Sequence, residues 1–180
     1  MRVLMISADK FEDTELLFPL YRLREERVEV DVASLERRPL KGKRGYVIEA
    51  NRGIDEVSAA DYDMLVLPGG KAPATLRADE RVLEVARGFV AAEKPVAAIC
   101  HGPQILAAAG VVRGRTLTSY KGVAKELRRA GANYEDREVV VDDNLITARD
   151  PADLPAFTRE IVRRVHAAPE AARKGAAAQS

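Results

Sequence analysis

The sequence predicts one α/β domain with a mostly parallel central sheet, and three observations support this prediction. The chain has 180 residues, 47% of them hydrophobic, with twelve Gly and nine Pro, which suffices for one hydrophobic core. Short apolar runs alternate with amphipathic helical stretches, as strands and crossover helices do. Residues 3–7 and 95–99 are almost continuously apolar, which is typical of parallel strands buried on both faces.

The first strand, residues 3–7, leads into a helix and then into a second strand at residues 28–33. The second strand alternates as VEVDVA, which favours a position nearer the edge of the sheet. Pro19 lacks an amide hydrogen and crowds the preceding turn, so we expect the helix to kink near Pro19 or to become regular only after it. The buried face of this helix is predicted by leucines at helical spacing: Leu16, Leu20 and Leu23.

The middle of the chain predicts a loop or hairpin, a buried strand and a sharp turn. Residues 42–53 have a loop composition, with a short strand at residues 46–48. Residues 63–67 form a buried strand that ends at Pro68-Gly69-Gly70. Two successive glycines at this point indicate a turn with positive φ or a close backbone approach. The next helix is expected to begin at Asp79.

The second half of the chain continues the alternation of strands and helices. The strand at residues 95–99 passes through Cys100-His101-Gly102-Pro103 directly into a helix. We expect residues 1–167 to form the domain and the Ala-rich residues 168–180 to form a flexible tail. The remaining predicted elements are a strand at 116–119, a helix at 123–130, paired strands at 138–141 and 145–148, and a helix capped by Asp150-Pro151.

Charge and cysteine content exclude several classes of protein. The 29 basic and 28 acidic side chains give a net charge of +1, too balanced for a protein whose main task is to neutralise phosphates. One cysteine cannot form an internal disulfide, and no apolar window is long enough for an export signal or a membrane helix. We therefore expect a cytoplasmic protein without a membrane partner, and nucleic acid is not favoured as a partner except as a glycated substrate.

No cofactor or metal is expected from the sequence. Phosphate-binding and dinucleotide-binding glycine loops are absent, and two histidines with one cysteine make a poor metal constellation. His166 lies in the last turn of the C-terminal helix, where a cation is favoured, and is expected to be structural. A basic run is expected to be solvated rather than to bind phosphate: Arg37, Arg38, Lys41, Lys43 and Arg44.

Cys100 is the strongest candidate for chemistry. It follows a central strand at the edge where open α/β sheets place their sites, and it precedes a helix whose free amides favour a thiolate. Pro103 suits the first helical position, and Gly102 leaves room for an approaching group. This strand, turn and helix predict a nucleophile elbow with cysteine in place of serine.

Other groups are expected at the same edge of the sheet. His101 is either a base or a structural residue, because adjacency in sequence does not fix its orientation. Glu12 follows the first strand, and a carboxyl group beside Cys100 would be pushed toward its protonated form and donate a hydrogen bond to the thiolate. The amides of Gly69, Gly70 and His101 predict an oxyanion hole, with a plain turn as the alternative.

The chain resembles the PfpI family of intracellular cysteine hydrolases, within the class I glutamine amidotransferase-like superfamily. The resemblance runs from residue 1 to about residue 165 and implies a three-layer, flavodoxin-like sandwich without a cofactor. It also implies dimers, often assembled into hexamers, with the site close to a subunit contact. The motifs that carry it are Phe11-Glu12-Asp13, Val66-Leu67-Pro68-Gly69-Gly70, Ala98-Ile99-Cys100-His101-Gly102-Pro103-Gln104, Thr118-Ser119-Tyr120 and Pro151-Ala152-Asp153-Leu154.

The resemblance also implies roles for individual residues. Cys100 is the nucleophile, Glu12 is the acid that contacts its sulfur, and the amides of Gly70 and His101 form the oxyanion hole. Tyr120 lies near the thiol and, with Gly69, contacts the substrate.

One position departs from the family pattern. The archaeal peptidases of the family complete a Cys-His-Glu triad with a glutamate from the adjacent subunit, and Ala74 stands at the matching position. An alanine cannot orient His101, so peptidase activity is not favoured. The remaining groups suit a stress-response hydrolase acting on α-oxoaldehydes or early glycation adducts, as the glyoxalases and deglycases of the family do. A weak cysteine peptidase and a non-enzymatic redox sensor or chaperone using Cys100 are the alternatives.

Overall fold

The computed structural model describes the backbone of residues 1–177 and the side chains of residues 1–167. The strands in chain order are β1 (Arg2–Ile6), β2 (Glu29–Ser34), β3 (Arg38–Lys41), β4 (Val47–Ala50), β5 (Arg52–Gly53), β6 (Met64–Leu67), β7 (Val96–Ile99), β8 (Thr116–Leu117), β9 (Asn133–Tyr134), β10 (Val139–Asp142) and β11 (Leu145–Ala148). The helices are α1 (Asp13–Glu25), α2 (Ala72–Leu76), α3 (Glu80–Ala91), α4 (Pro103–Ala108), α5 (Ala124–Arg129) and α6 (Leu154–Ala177).

Seven strands form the central sheet in the order β10-β11-β7-β6-β1-β2-β5. All neighbouring pairs are parallel except β10 with β11. Every residue of β6, β7 and β11 is buried, because helices cover both faces of the sheet, and this burial explains their uninterrupted apolar sequences. The predicted α/β class with a mostly parallel sheet is confirmed.

The strand order places a topological switch at the centre of the sheet. The chain moves from β1 to β2 in one direction and from β6 to β7 in the other. Because parallel crossovers are right-handed, these opposite moves put α1 and α3 on opposite faces of the sheet. Helix α6 packs with α1, and α4 packs with α3. Open α/β sheets bind ligands outside the carboxyl ends of strands at such a switch, so the turns after β1, β6 and β7 face the expected site.

Helix α1 differs from the prediction. It is helical from Asp13 and runs through Pro19 to Glu25, so the alternative in which the helix becomes regular only after Pro19 is wrong. Pro19 is itself buried, together with the predicted core leucines. Packing of α1 against β2 and α6 holds the first turns helical despite the amide that proline lacks.

Other differences concern short or terminal elements. The loop at residues 42–53 is part of a β3–β4 hairpin that begins earlier than predicted, and helix α2 was not predicted. Helix α6 extends to Ala177, into the segment for which we predicted a tail, because alanine has the highest helix propensity. Residues 178–180 of that predicted tail lie outside the described residues. Within residues 1–177, no helix has the length and apolarity needed to cross a membrane.

Candidate active site

Cys100 occupies a strained turn between β7 and α4. Its φ is +61°, a left-handed conformation that is costly for a residue with a side chain. Two backbone hydrogen bonds hold it: the Cys100 amide donates to Ala148 at 3.1 Å, and the Cys100 carbonyl accepts from Tyr120 at 3.0 Å. A side chain at Gly102 would collide with the carbonyl of Leu67. The predicted nucleophile elbow is therefore present, and Gly102 is needed for packing against β6.

His101 faces the thiol. Its Nδ1 lies 3.2 Å from the Cys100 sulfur, and its ring stacks on Tyr120 with the centroids 5.0 Å apart. Burial and the positive charge of Lys43 lower the pKa of His101, against a smaller opposing effect of Glu126. The imidazole is consequently neutral at pH 7 and able to accept a proton from the thiol.

Glu15 is the carboxyl group that contacts the Cys100 thiol, and the sequence analysis did not identify it. Its side chain is completely buried, and Oε2 accepts a 2.8 Å hydrogen bond from the Gly69 amide. Burial raises the pKa of Glu15 to about 7, although the hydrogen bonds from Gly69 and Cys100 act in the opposite direction. Its other oxygen, Oε1, has no hydrogen-bond partner among the described residues, which suits an oxygen that carries a proton.

Glu12, which the resemblance assigned to the sulfur contact, lies one helical turn before Glu15. It caps the start of α1 with its backbone, and its carboxylate pairs with Lys43 at 3.2 Å. The structure therefore places Glu12 on the wall of the cleft and Glu15 against the thiol. The i, i+3 spacing of the two acids was the available signal, because that spacing puts both on one face of a helix.

Two backbone amides point at the sulfur. The amides of Gly70 and His101 hydrogen-bond Cys100 and favour its thiolate, whereas burial and the Glu15 carboxylate raise the pKa of the thiol, and burial is the largest effect. Gly70 has φ +81°, and a Cβ there would collide with the Glu12 amide. The Gly70 position therefore requires glycine. The amides of Gly70 and His101 thus both lie at the sulfur, and their role as an oxyanion hole stays a prediction.

These groups line a cleft of about 530 Å³, a size that suits a small molecule. Tyr120 is on its wall as expected, and so is Ala74. Gly69 is buried beneath the cleft, and its amide is already used by Glu15. On the far side, Glu126 accepts a 2.8 Å hydrogen bond from Gln104 and pairs with Arg77. Partial burial would raise the pKa of Glu126, but Arg77 and Gln104 hold it below its usual value.

His166, which was predicted to be structural, and Arg37, from the basic run that was predicted to be solvated, do not line the cleft. His166 pairs with Glu26 at 3.0 Å, and Arg37 pairs with Glu56 at 2.6 Å. In the part of the chain with described side chains, no group of three or more His, Cys, Asp or Glu is placed to hold a metal ion.

Comparisons with known proteins define the class. The model of the DJ-1/PfpI family matches residues 1–164. A deglycase of Pyrococcus abyssi is 50% identical over 163 residues, covering 91% of this chain and 98% of the relative. Protein/nucleic acid deglycase 2 of Escherichia coli is 44% identical over 165 residues, covering 90% of this chain and 96% of the relative.

A solved structure from Anabaena variabilis supports the same conclusion. It contains DJ-1/ThiJ/PfpI-like and ferritin-like domains, and it matches 92% of this chain with a TM-score of 0.90 and 36% identity. This chain spans 48% of that two-domain protein. The fold and the site thus define a class of proteins that have a flavodoxin-like sheet and a cysteine in the turn between a strand and a helix. The chain belongs to the DJ-1/PfpI family.

Proposed function

We propose that this protein is a cysteine-dependent hydrolase that acts on α-oxoaldehydes or on early glycation adducts, in the manner of a glyoxalase or deglycase. The observation that carries the proposal is the contact of the Cys100 thiol with two proton-transfer groups. His101 lies 3.2 Å from the sulfur, and the buried Glu15, with a pKa of about 7, touches it from the other side. The names of the two deglycase relatives support the same assignment.

The first step is attack on the aldehyde. Cys100 forms a sulfur–carbon bond to the aldehyde carbon, the carbonyl π electrons move to oxygen, and the thiol proton passes through His101 or Glu15 to that oxygen. The product is a hemithioacetal. The amides of Gly70 and His101 stabilise the negative charge on oxygen while it develops.

The second step moves a proton between carbons. Glu15, as carboxylate, removes the proton from the hemithioacetal carbon and returns it to the neighbouring carbon. The hydroxyl proton of the hemithioacetal passes to the former ketone oxygen, so the former ketone becomes an alcohol and the former aldehyde carbon becomes a thioester. Water then hydrolyses the thioester, giving a 2-hydroxy acid and the free thiol, so the sum is substrate plus one water with no external oxidant. For an early adduct with an amine, the sulfur–carbon bond forms as the carbon–nitrogen bond breaks, and the amine leaves with the thiol proton. The product is the same hemithioacetal, which then follows the same proton transfer and hydrolysis.

The structure favours this chemistry over peptide cleavage. A Cys-His peptidase relies on a third polar side chain that orients the imidazole and stabilises its protonated form. Ala74 supplies none, and Glu126 is engaged by Gln104 and Arg77 rather than hydrogen-bonded to the imidazole. The peptidase and redox-sensor alternatives stay predictions. Ala74→Glu should raise peptide cleavage if the missing carboxylate limits it, and mass spectrometry after mild peroxide should show two added oxygens at Cys100 if the thiol is a sensor.

The first test compares the purified chain with Cys100→Ala. Methylglyoxal consumption and lactate formation are measured in buffer free of amines and thiols, because these react with the aldehyde without a protein. We expect turnover in the wild-type protein and background rates in the variant. Equal rates in both proteins would contradict the proposal. Thermal unfolding of both proteins serves as the control for folding.

A further inference from the structure

A second recess, about 540 Å³ in volume, opens beside the catalytic cleft. Four lysines surround it, and we call it the lysine recess: Lys10, Lys41, Lys43 and Lys71, with Asp9 and Gly42 completing the wall. Lys43 and Lys71 also line the cleft that holds Cys100. The two spaces are therefore neighbours that share these two lysines.

The lysine recess carries uncompensated positive charge. Lys43 pairs with Glu12 at 3.2 Å. Asp9, its one acid, pairs with Arg38 at 2.9 Å and accepts the amide of Lys41 at 2.8 Å. The Lys41 amide and Arg38 hold the pKa of Asp9 below its usual value, although slight burial opposes them. Among the ion pairs of residues 1–167, none involves the other three lysines: Lys10, Lys41 and Lys71.

The main chain fixes the positions from which these lysines extend. The amide of Lys10 donates to the Lys41 carbonyl at 2.7 Å, and the amide of Lys71 donates to the Lys10 carbonyl at 2.8 Å. Lys10 itself has φ +62°, a left-handed conformation that a non-glycine residue adopts only when its surroundings hold it there. The turns after β1, β3 and β6 are thus joined at this point.

The β3–β4 turn is anchored from below by buried Asp13. Its carboxylate accepts the amides of Arg44 at 2.8 Å and Tyr46 at 3.0 Å. Gly42 lies directly over this carboxylate, and a Cβ there would come within 2.5 Å of an Asp13 oxygen. The lysine recess is therefore bounded by backbone held in place before any ligand arrives, and only the lysine side chains must be ordered on binding.

We propose that the lysine recess binds the phosphate group of a short phosphorylated carbonyl compound while the carbonyl carbon lies at Cys100. This inference rests on the proposed function and narrows its substrate class. Ammonium groups bind phosphate as point charges, and three uncompensated charges match a phosphate monoester dianion better than a single carboxylate. A nucleic acid would need a longer row of free basic groups, whereas neighbouring Arg37 and Arg38 are paired with acids.

The test measures binding apart from turnover. Glycerol 3-phosphate, glycerol and inorganic phosphate are titrated into the protein at fixed ionic strength by calorimetry. We expect saturable binding of glycerol 3-phosphate, weaker binding of inorganic phosphate and none of glycerol. Lys10→Ala/Lys41→Ala should weaken the glycerol 3-phosphate Kd by about tenfold or more, equivalent to about 1.4 kcal/mol. Lys125→Ala/Arg129→Ala, which removes two exposed charges elsewhere, is the matched control and should retain the wild-type Kd.

A second measurement places the bound compound. Glycerol 3-phosphate should slow alkylation of Cys100 by iodoacetamide, which is uncharged, and glycerol should not. No saturable binding to the wild-type protein, equal Kd values for the two double variants, or no protection of Cys100 would overturn the inference. Phosphate binding and protection without methylglyoxal turnover would instead refute the proposed reaction and leave the recess established. All variants are compared by thermal unfolding.

Discussion

The floor and the rim of the catalytic cleft hold similar groups in opposite environments. On the floor, Glu15 and Cys100 are almost wholly removed from water, and burial is the largest influence on both pKa values. On the rim, Glu12 pairs with Lys43, whose side chain is 45% exposed. Two carboxyl groups one helical turn apart thus differ in their surroundings: the fully buried one exchanges a proton near neutral pH, and the rim one, whose side chain is 12% exposed, faces the partly exposed ammonium group of Lys43.

The largest expected effect separates the two acids by activity. Glu15→Gln should lower kcat/KM for methylglyoxal by on the order of a hundredfold or more, because it removes the proton-transfer group. Glu12→Gln is the matched change on the rim, and it should cost less than about tenfold, since Lys43 is 45% exposed and water can take the place of its lost ion pair. Steady-state kinetics of the two variants make the comparison. A larger loss of kcat/KM in Glu12→Gln than in Glu15→Gln would show that Glu12 transfers the proton, in line with the sulfur contact that the family resemblance implied for it.

The next effect concerns stability as a function of pH. The folded pKa of Glu15, about 7, is above the ordinary glutamate value of 4.5, so the folded state binds this proton more tightly than the unfolded state. Its stabilising contribution is fully present below pH 4.5 and is lost as the pH rises through 7. We expect the free energy of unfolding of the wild type to fall, relative to Glu15→Gln, by on the order of 3 kcal/mol across that interval.

Urea unfolding of both proteins at several pH values from 4 to 8 measures this difference. Subtracting the Glu15→Gln curve removes the contributions of the other carboxyl groups. Parallel curves for the two proteins would show that the folded pKa of Glu15 is ordinary. Burial on the floor of the cleft would then not distinguish Glu15 from the acid on the rim.

A smaller effect compares two glycines with positive φ. Gly70, above the sulfur, has φ +81°, and Gly45, in the β3–β4 turn, has φ +98°. A Cβ on Gly45 meets no atom within 4 Å, whereas one on Gly70 would strike the backbone of Phe11 and Glu12. Gly45→Ala should cost about 1 kcal/mol of backbone strain, and Gly70→Ala about 1–2 kcal/mol more. Urea unfolding measures both, and equal losses would show that the turn around Gly70 moves aside.

The sequence predicted the part of the site that is continuous along the chain. It did not predict the part that the fold brings together from separate segments. Cys100, His101 and Pro103 lie in one strand, turn and helix, and that local pattern predicted their geometry. Glu15 was not predicted because the spacing of Leu16, Leu20 and Leu23 explained this segment as an amphipathic helix and assigned no role to the acid. Its place beside the thiol follows from its hydrogen bond with Gly69, which comes from a distant part of the chain.

Contacts between distant turns explain the rest of what was missed. The basic run was expected to be solvated, yet Lys41 and Lys43 meet Lys10 and Lys71 from two other turns. Their meeting depends on the strand order, in which β6 and β2 both flank β1. Helix α2 spans five residues, too few for a periodic pattern to show.

The left-handed backbone at Cys100 has a consequence for how this protein evolves. Glycine would adopt φ +61° without strain, so replacing the nucleophile with glycine would relieve the fold at the same moment that it removed the thiol. Selection for stability alone would therefore favour glycine at this position, and a cysteine persists there while selection acts on its sulfur. In lineages that no longer need the thiol, this turn is where we expect the sequence to drift first.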